Sequence, residues 1–114
     1  MKVFLDLVAG HTSDQHPWFL QSKEAETNLH YSDYFIWTND KGVLPKKFNK
    51  PKEAARQGNY MRNFFACQPA LNYGFANPNP NNPWEQSVDA PGPQAVRREL
   101  KNIIAFWMDK GVDG

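Results

Sequence analysis

The run Val3-Phe4-Leu5-Asp6-Leu7-Val8 sets the tightest limit on what this chain can fold into. Its apolar residues do not alternate with polar ones, which suits a strand covered on both faces, as in a parallel sheet flanked by helices. One carboxylate interrupts the run. An ionised Asp6 is costly there unless partners meet it. At the carboxyl end of a parallel strand, however, the cover opens into the crevice where ligands of α/β folds collect. Asp6 then reads as a strand-end functional residue. The alternative is a carboxylate that accepts backbone N–H bonds from the turn at Gly10-His11-Thr12-Ser13, and the residues alone leave both readings open.

The other strong pattern lies near the end of the chain. Val96, Leu100, Ile103, Ile104, Trp107 and Met108 fall at helical spacing, with Arg97, Arg98, Glu99 and Lys101 on the opposite side. Pro93 suits a first helical turn, and Gly111 after Lys110 supplies a left-handed stop. Trp107, on the apolar face, is expected to pack. Val112-Asp113-Gly114 then begins a further extended segment. Between strand and helix lies a long excursion with most of the prolines and no sustained helical period. Tyr34-Phe35-Ile36-Trp37-Thr38 and the stretch from Tyr60 to Cys67 read as strands within it, so it should carry a small sheet of its own. Asn77 to Pro83, dense in asparagine and proline, reads as an exposed irregular loop.

The expected organisation is an α/β βαβ unit with a β-rich insertion. Residues 1–11 form a strand and its end, 12–92 the inserted subdomain and loops, and 93–114 the helix and the start of the next strand. One strand and one helix cannot bury their own apolar faces, and a closed βα barrel needs roughly 200 residues or more, so the chain is expected to be a fragment.

Composition narrows the function classes. Thirteen basic and 12 acidic residues leave a formal charge of +1, so no basic field favours nucleic acid and no polybasic patch favours a membrane surface. Cys67 is the sole cysteine; it rules out an internal disulfide and reads as a small buried hydrophobe. His11, Asp14 and His16 lack the cysteine partners or helical spacing of a zinc site.

Three short motifs resemble the α-amylase family of glycoside hydrolases. Asp6-Leu7-Val8-Ala9-Gly10-His11-Thr12-Ser13 with His16-Pro17-Trp18-Phe19 resembles the family's motif at the end of the third barrel strand. Gln68-Pro69-Ala70-Leu71-Asn72 is similar to the motif near the end of its inserted domain, which Asp33-Tyr34-Phe35-Ile36-Trp37 also fits. Gly111-Val112-Asp113-Gly114 resembles the approach to the fourth strand.

The resemblance implies part of a (β/α)8 TIM barrel, with the insertion between strand 3 and helix 3. It also implies a parent enzyme that processes α-1,4- or α-1,6-linked gluco-oligosaccharides with retention of configuration. In that chemistry one carboxylate attacks the sugar carbon and a second acid protonates the leaving oxygen, the two being about 5–5.5 Å apart. The resemblance puts both beyond Gly114, so these residues alone are expected to be inactive. By the same resemblance His11 hydrogen-bonds the glucosyl unit beside the scissile bond, Asp6 organises the base of that subsite and Gln68 shapes its rim. Tyr31, Tyr34 and Tyr73 lie where the family builds subsite walls. Trp18, Trp37 and Trp84 suit either sugar stacking or packing, with packing favoured for each.

Many calcium-dependent members carry an asparagine just before the motif histidine and an aspartate in the second motif. Here those positions are Gly10 and Ala70, which offer no side-chain oxygen to a cation that wants six to eight, so this calcium site is expected to be absent and no cofactor is implied. A transglycosylase or isomerase of the same family remains an alternative. So does a non-catalytic barrel scaffold of the transporter heavy-chain kind, against which retained Asp6 and His11 weigh.

Overall fold

The computed structural model describes residues 1–24 and 30–114. Helix α1 (Pro17–Ser22) starts where His16, in extended backbone, turns its ring Nδ1 to accept the Trp18 N–H at 3.1 Å. Pro17 at the first position has no N–H to leave unpaired. The helix buries Phe19, whose ring lies parallel to Trp37 at 5.7 Å and edge-on to Phe35 and Tyr60. With Tyr34 and Val96 these rings form the core.

Sheet structure around that core is sparse. β1 (Phe48–Asn49) and β2 (Tyr60–Met61) pair antiparallel, with Phe48 opposite Met61 and Asn49 opposite Tyr60. Single bridges join Trp37 to Tyr60, Phe35 to Leu71, Arg62 to Pro69 and His11 to Ala70. The strand expected over residues 34–38 is therefore two isolated bridges, and the one expected over 60–67 stops after two residues. A 3₁₀ turn at Ser32–Tyr34 cuts into the first, and the turn through Phe65–Gln68 ends the second. Ring packing carries the order together with cross-segment backbone bonds, among them Met61 N–H to the Ile36 carbonyl (2.9 Å), Thr38 N–H to Asn59 (2.9 Å) and Asn72 N–H to Tyr34 (2.8 Å).

One buried cation fastens this region. Arg56, 8% exposed, lies over the Trp37 ring at 4.6 Å and donates to the Ser32 carbonyl (2.7 Å) and the Ser22 carbonyl (3.1 Å). Trp37 Nε1 donates to Ser22 Oγ at 2.9 Å, so α1, the 3₁₀ turn and the tryptophan share one polar node. Such burial is tolerable because the guanidinium donors meet carbonyls and an aromatic face. In the asparagine-rich loop, Asn79 Oδ1 accepts from the Asn81 N–H, and the Asn82 side chain donates to Glu85.

Helix α2 (Pro91–Asp109) begins two residues before Pro93, because Pro91 already fits the first position. A Cβ on Gly92 would stand 2.6 Å from both the Cβ and the carbonyl oxygen of Asp33, so glycine lets the helix touch the 3₁₀ turn. Val96 is 2% exposed, and Gly111, at φ +93°, ends the helix as expected.

Beyond Val96 two expectations fail. Trp107 is not buried: it is 44% exposed, its ring edge-on to Phe106, with Ile104, Phe106 and Met108 exposed beside it. Nor is the opening run a covered strand, since Val3, Phe4, Leu5, Leu7 and Val8 are all exposed. Its hydrogen-bonded neighbour is the chain's other end, where Asp113 N–H donates to Val3 and Leu5 N–H to Gly114, each at 2.8 Å and in parallel sense. Among the described residues no element covers the outer faces of this pair. The Cα radius of gyration, 15.1 Å, exceeds the roughly 13 Å of a compact domain of this length, as an uncovered arm requires.

Candidate functional site

The first two motifs, more than 50 residues apart in sequence, lie side by side. His11 bridges Ala70, Leu71 N–H donates to the Gly10 carbonyl (3.0 Å), and Thr12 N–H donates to Pro69 (3.2 Å). The third motif reaches the same segment through Asp113 and Val3. Backbone pairing thus joins the first two directly and ties the third to the residues just before the first.

His11 is half-buried and its ring has two neighbours. Asn63 Nδ2 stands 2.9 Å from His11 Nδ1, and Phe64 meets the ring edge-on at 6.1 Å. The histidine lines a cavity of about 430 Å³ between the opening segment and α2. Leu7, Val8, Leu71, Val96, Leu100 and Ile103 give it an apolar wall, and His11, Thr12, His16, Trp18 and Tyr73 a more polar side. Tyr73 donates its hydroxyl to the Ala9 carbonyl at 2.5 Å, and burial raises its pKa, so it serves as a neutral donor. Burial also lowers the pKa of His16, in keeping with a neutral ring that accepts the α1 N-cap bond.

Asp6 lines a different hollow. That groove, about 350 Å³, runs between Leu5 and Leu7 on one side and Ile103, Ile104, Trp107 and Met108 on the other. The two hollows share Leu7 and Ile103 as lining residues, but Asp6 and His11 do not face one cavity. Asp14 lines a third hollow. Among the described residues no carboxylate lines the His11 cavity, so it can bind and orient hydroxyl groups but holds no acid–nucleophile pair.

Gln68 sits in the turn that closes the hairpin. Its Oε1 accepts from the Phe65 N–H (3.1 Å), its N–H donates to the Phe65 carbonyl (2.9 Å), and its carbonyl accepts from Asn63 (2.9 Å). It is linked to His11 through Asn63. Cys67, expected to be buried, is exposed in the same turn, where a tight reversal leaves its side chain no core to enter. Trp37 lies in the core and Trp18 stacks on Tyr31 at 6.1 Å, so both are engaged in packing. Asn63 escaped the sequence reading, because nothing in a linear pattern pairs it with a histidine 52 positions away.

Comparison with known proteins adds a family. The oligo-1,6-glucosidase of Bacillus sp. (strain F5) is 36% identical over 116 residues, covering all of this chain and 20% of that protein. The mouse (Mus musculus) amino acid transporter heavy chain SLC3A1 is 34% identical over 126 residues, covering all of this chain and 16% of that protein. Among solved structures, an isomaltulose synthase variant from Erwinia rhapontici NX5, in complex with its natural substrate sucrose, superposes with a TM-score of 0.68. It is 31% identical over 98% of this chain and 18% of that one. The chain therefore spans about a fifth of the length of these relatives. The alpha amylase catalytic domain matches residues 1–114 throughout, and the solved relatives are barrel enzymes. With its three motifs drawn together by backbone pairing, this chain belongs to the α-amylase family of glycoside hydrolases and is part of its TIM-barrel catalytic domain.

Proposed function

We propose that these residues form the glucosyl-binding edge of a retaining enzyme acting on α-1,4- or α-1,6-linked gluco-oligosaccharides. Residues 1–11 and 93–114 supply barrel strand 3, helix 3 and the start of strand 4, and residues 12–92 the inserted subdomain. His11 donates to the glucosyl unit beside the scissile bond and Gln68 holds its rim, while Asp6, which lines the neighbouring groove, supports the base of the subsite from behind Leu7, a lining residue that the two hollows share. The observation that carries this reading is the bridge from His11 to Ala70, which sets the motif histidine against the end of the insertion. The nucleophile and the general acid belong beyond Gly114.

Two experiments test it. Reading the gene onward from Gly114 should show an arginine and then an aspartate within a few codons; another residue at the aspartate position sinks the enzyme reading of the parent. The 114-residue chain should not turn over a chromogenic α-glucoside above a His11→Ala control, because the groups that form and break the glycosidic bond lie outside it.

A second reading has its own support. The likeness to an isomaltulose synthase favours a parent that passes the glucosyl group to a sugar acceptor instead of water. Product analysis of the parent on sucrose and on isomaltose separates the two. The heavy-chain relative keeps a non-catalytic scaffold as a third outcome of the same assay.

Calcium does not fit between these motifs. Gly10 and Ala70 have no side-chain oxygen, and the hard cation needs six to eight oxygen ligands. EDTA should leave the thermal midpoint of the chain unchanged; a fall of several degrees on chelation would contradict this.

A further inference from the structure

We propose that Asn63 is a positioning residue for His11, and that Gly10 is glycine to make room for it. A carboxamide nitrogen can only donate, so the 2.9 Å contact from Asn63 Nδ2 makes His11 Nδ1 the acceptor. In the neutral ring the proton then sits on Nε2. Nδ1 is engaged within the protein, and Nε2–H is the donor left for a ligand hydroxyl in the cavity that His11 lines. A sugar oxygen, with free lone pairs, is the chemistry such a donor suits.

The placement of Asn63 depends on the backbone around it. Its N–H donates to the Gln68 carbonyl (2.9 Å), and Leu71 and Thr12 bind this hairpin to the His11 segment. A Cβ on Gly10 would stand 2.8 Å from Asn63 Nδ2, inside any real contact. Gly10 has no positive φ, so its backbone admits a side chain, and the conflict is with the Asn63 amide alone. The amide occupies space that a side chain at residue 10 would otherwise take.

The sugar-binding half of this inference rests on the glucosyl reading of His11; the tautomer half does not. Ring nitrogen NMR of the full 114-residue chain at neutral to mildly alkaline pH tests the tautomer. Wild type should show His11 held as the Nε2–H form. Asn63→Ala and Gly10→Ala should each release it to a tautomer mixture, and Gly10→Ala should add nothing in the Asn63→Ala background. Asn63→Asp, an acceptor of the same shape, should switch the ring to Nδ1–H. A mixed or Nδ1–H ring in wild type, or a Gly10→Ala spectrum unchanged from wild type, overturns the proposal. Asn63→Ala removes only a partly exposed side chain, so the test survives if Gly10→Ala does not fold.

Titration with methyl α-D-glucopyranoside, followed at the His11 ring, tests the ligand. Asn63→Ala should weaken binding roughly two- to tenfold, the worth of one neutral hydrogen bond. A wild-type ring held as Nε2–H but unmoved by the sugar overturns the glucosyl reading and leaves the positioning role standing.

Discussion

The excursion and the arm are built from similar residues and end in opposite states. Phe35 in the excursion is 1% exposed, whereas Phe4 in the arm is 69% exposed; Trp37 is buried, whereas Trp107 is not. Hydrophobic content does not separate them. What differs is whether the complementary surface lies within these residues. The excursion's rings pack on one another and on Val96, while the arm pairs only its two extended ends and turns the last two turns of α2 outward. Helix α2 spans both regimes, as its buried residues, Gly92, Pro93 and Val96, all lie in its first two turns.

The sharpest way to break this contrast is a matched pair of tryptophan deletions. Trp37→Ala should cost about 3–5 kcal/mol, because it removes a stacked core ring and leaves a cavity. Trp107→Ala should cost less than about 1 kcal/mol, since its ring touches little that folding has buried. Denaturant titration of both variants checks it, and equal losses would mean that the arm is as well packed as the excursion. Arg56→Met comes next, at about 2–4 kcal/mol, because the Ser22 and Ser32 carbonyls lose their cationic donor. Arg56 touches Trp37, so a double-mutant cycle of the two should be non-additive.

The smallest effect is a pH dependence confined to the α1 cap. Burial lowers the pKa of His16 from its ordinary 6.5, so the unfolded chain takes up its proton first. Its contribution is therefore fully present above pH 6.5 and is lost as pH falls through the lowered value. His16→Asn keeps a good N-cap that does not titrate, and should flatten this part of the stability–pH curve. An unchanged acid limb would remove His16 as its source.

What the sequence disclosed follows the same division. Helix α2 and its stop at Gly111 were legible because period and capping are local; its start was misplaced by two residues because Pro91 and Pro93 both suit a first turn. The family motifs were legible as short strings, and backbone pairing brings them together. Burial was not legible where it depends on distant partners: Arg56 lies buried despite its charge, while Cys67 and Trp107 lie exposed despite their apolar character. Around His11, the aligned motif pointed to the histidine, but its partner Asn63 and the space at Gly10 exist only once the hairpin is folded.

The parallel hydrogen bonds between the chain's two ends carry one more consequence. Val3 and Asp113 meet across 110 positions, and the entropy of closing a loop rises by only about 0.6 kcal/mol for each doubling of its length. Residues added to or removed from the surface of the excursion therefore barely affect whether the ends meet. Matches with relatives run from 114 to 126 residues over this same 114-residue chain. A longer or shorter excursion, and with it a different surface beside His11, is compatible with the same pairing of the two ends.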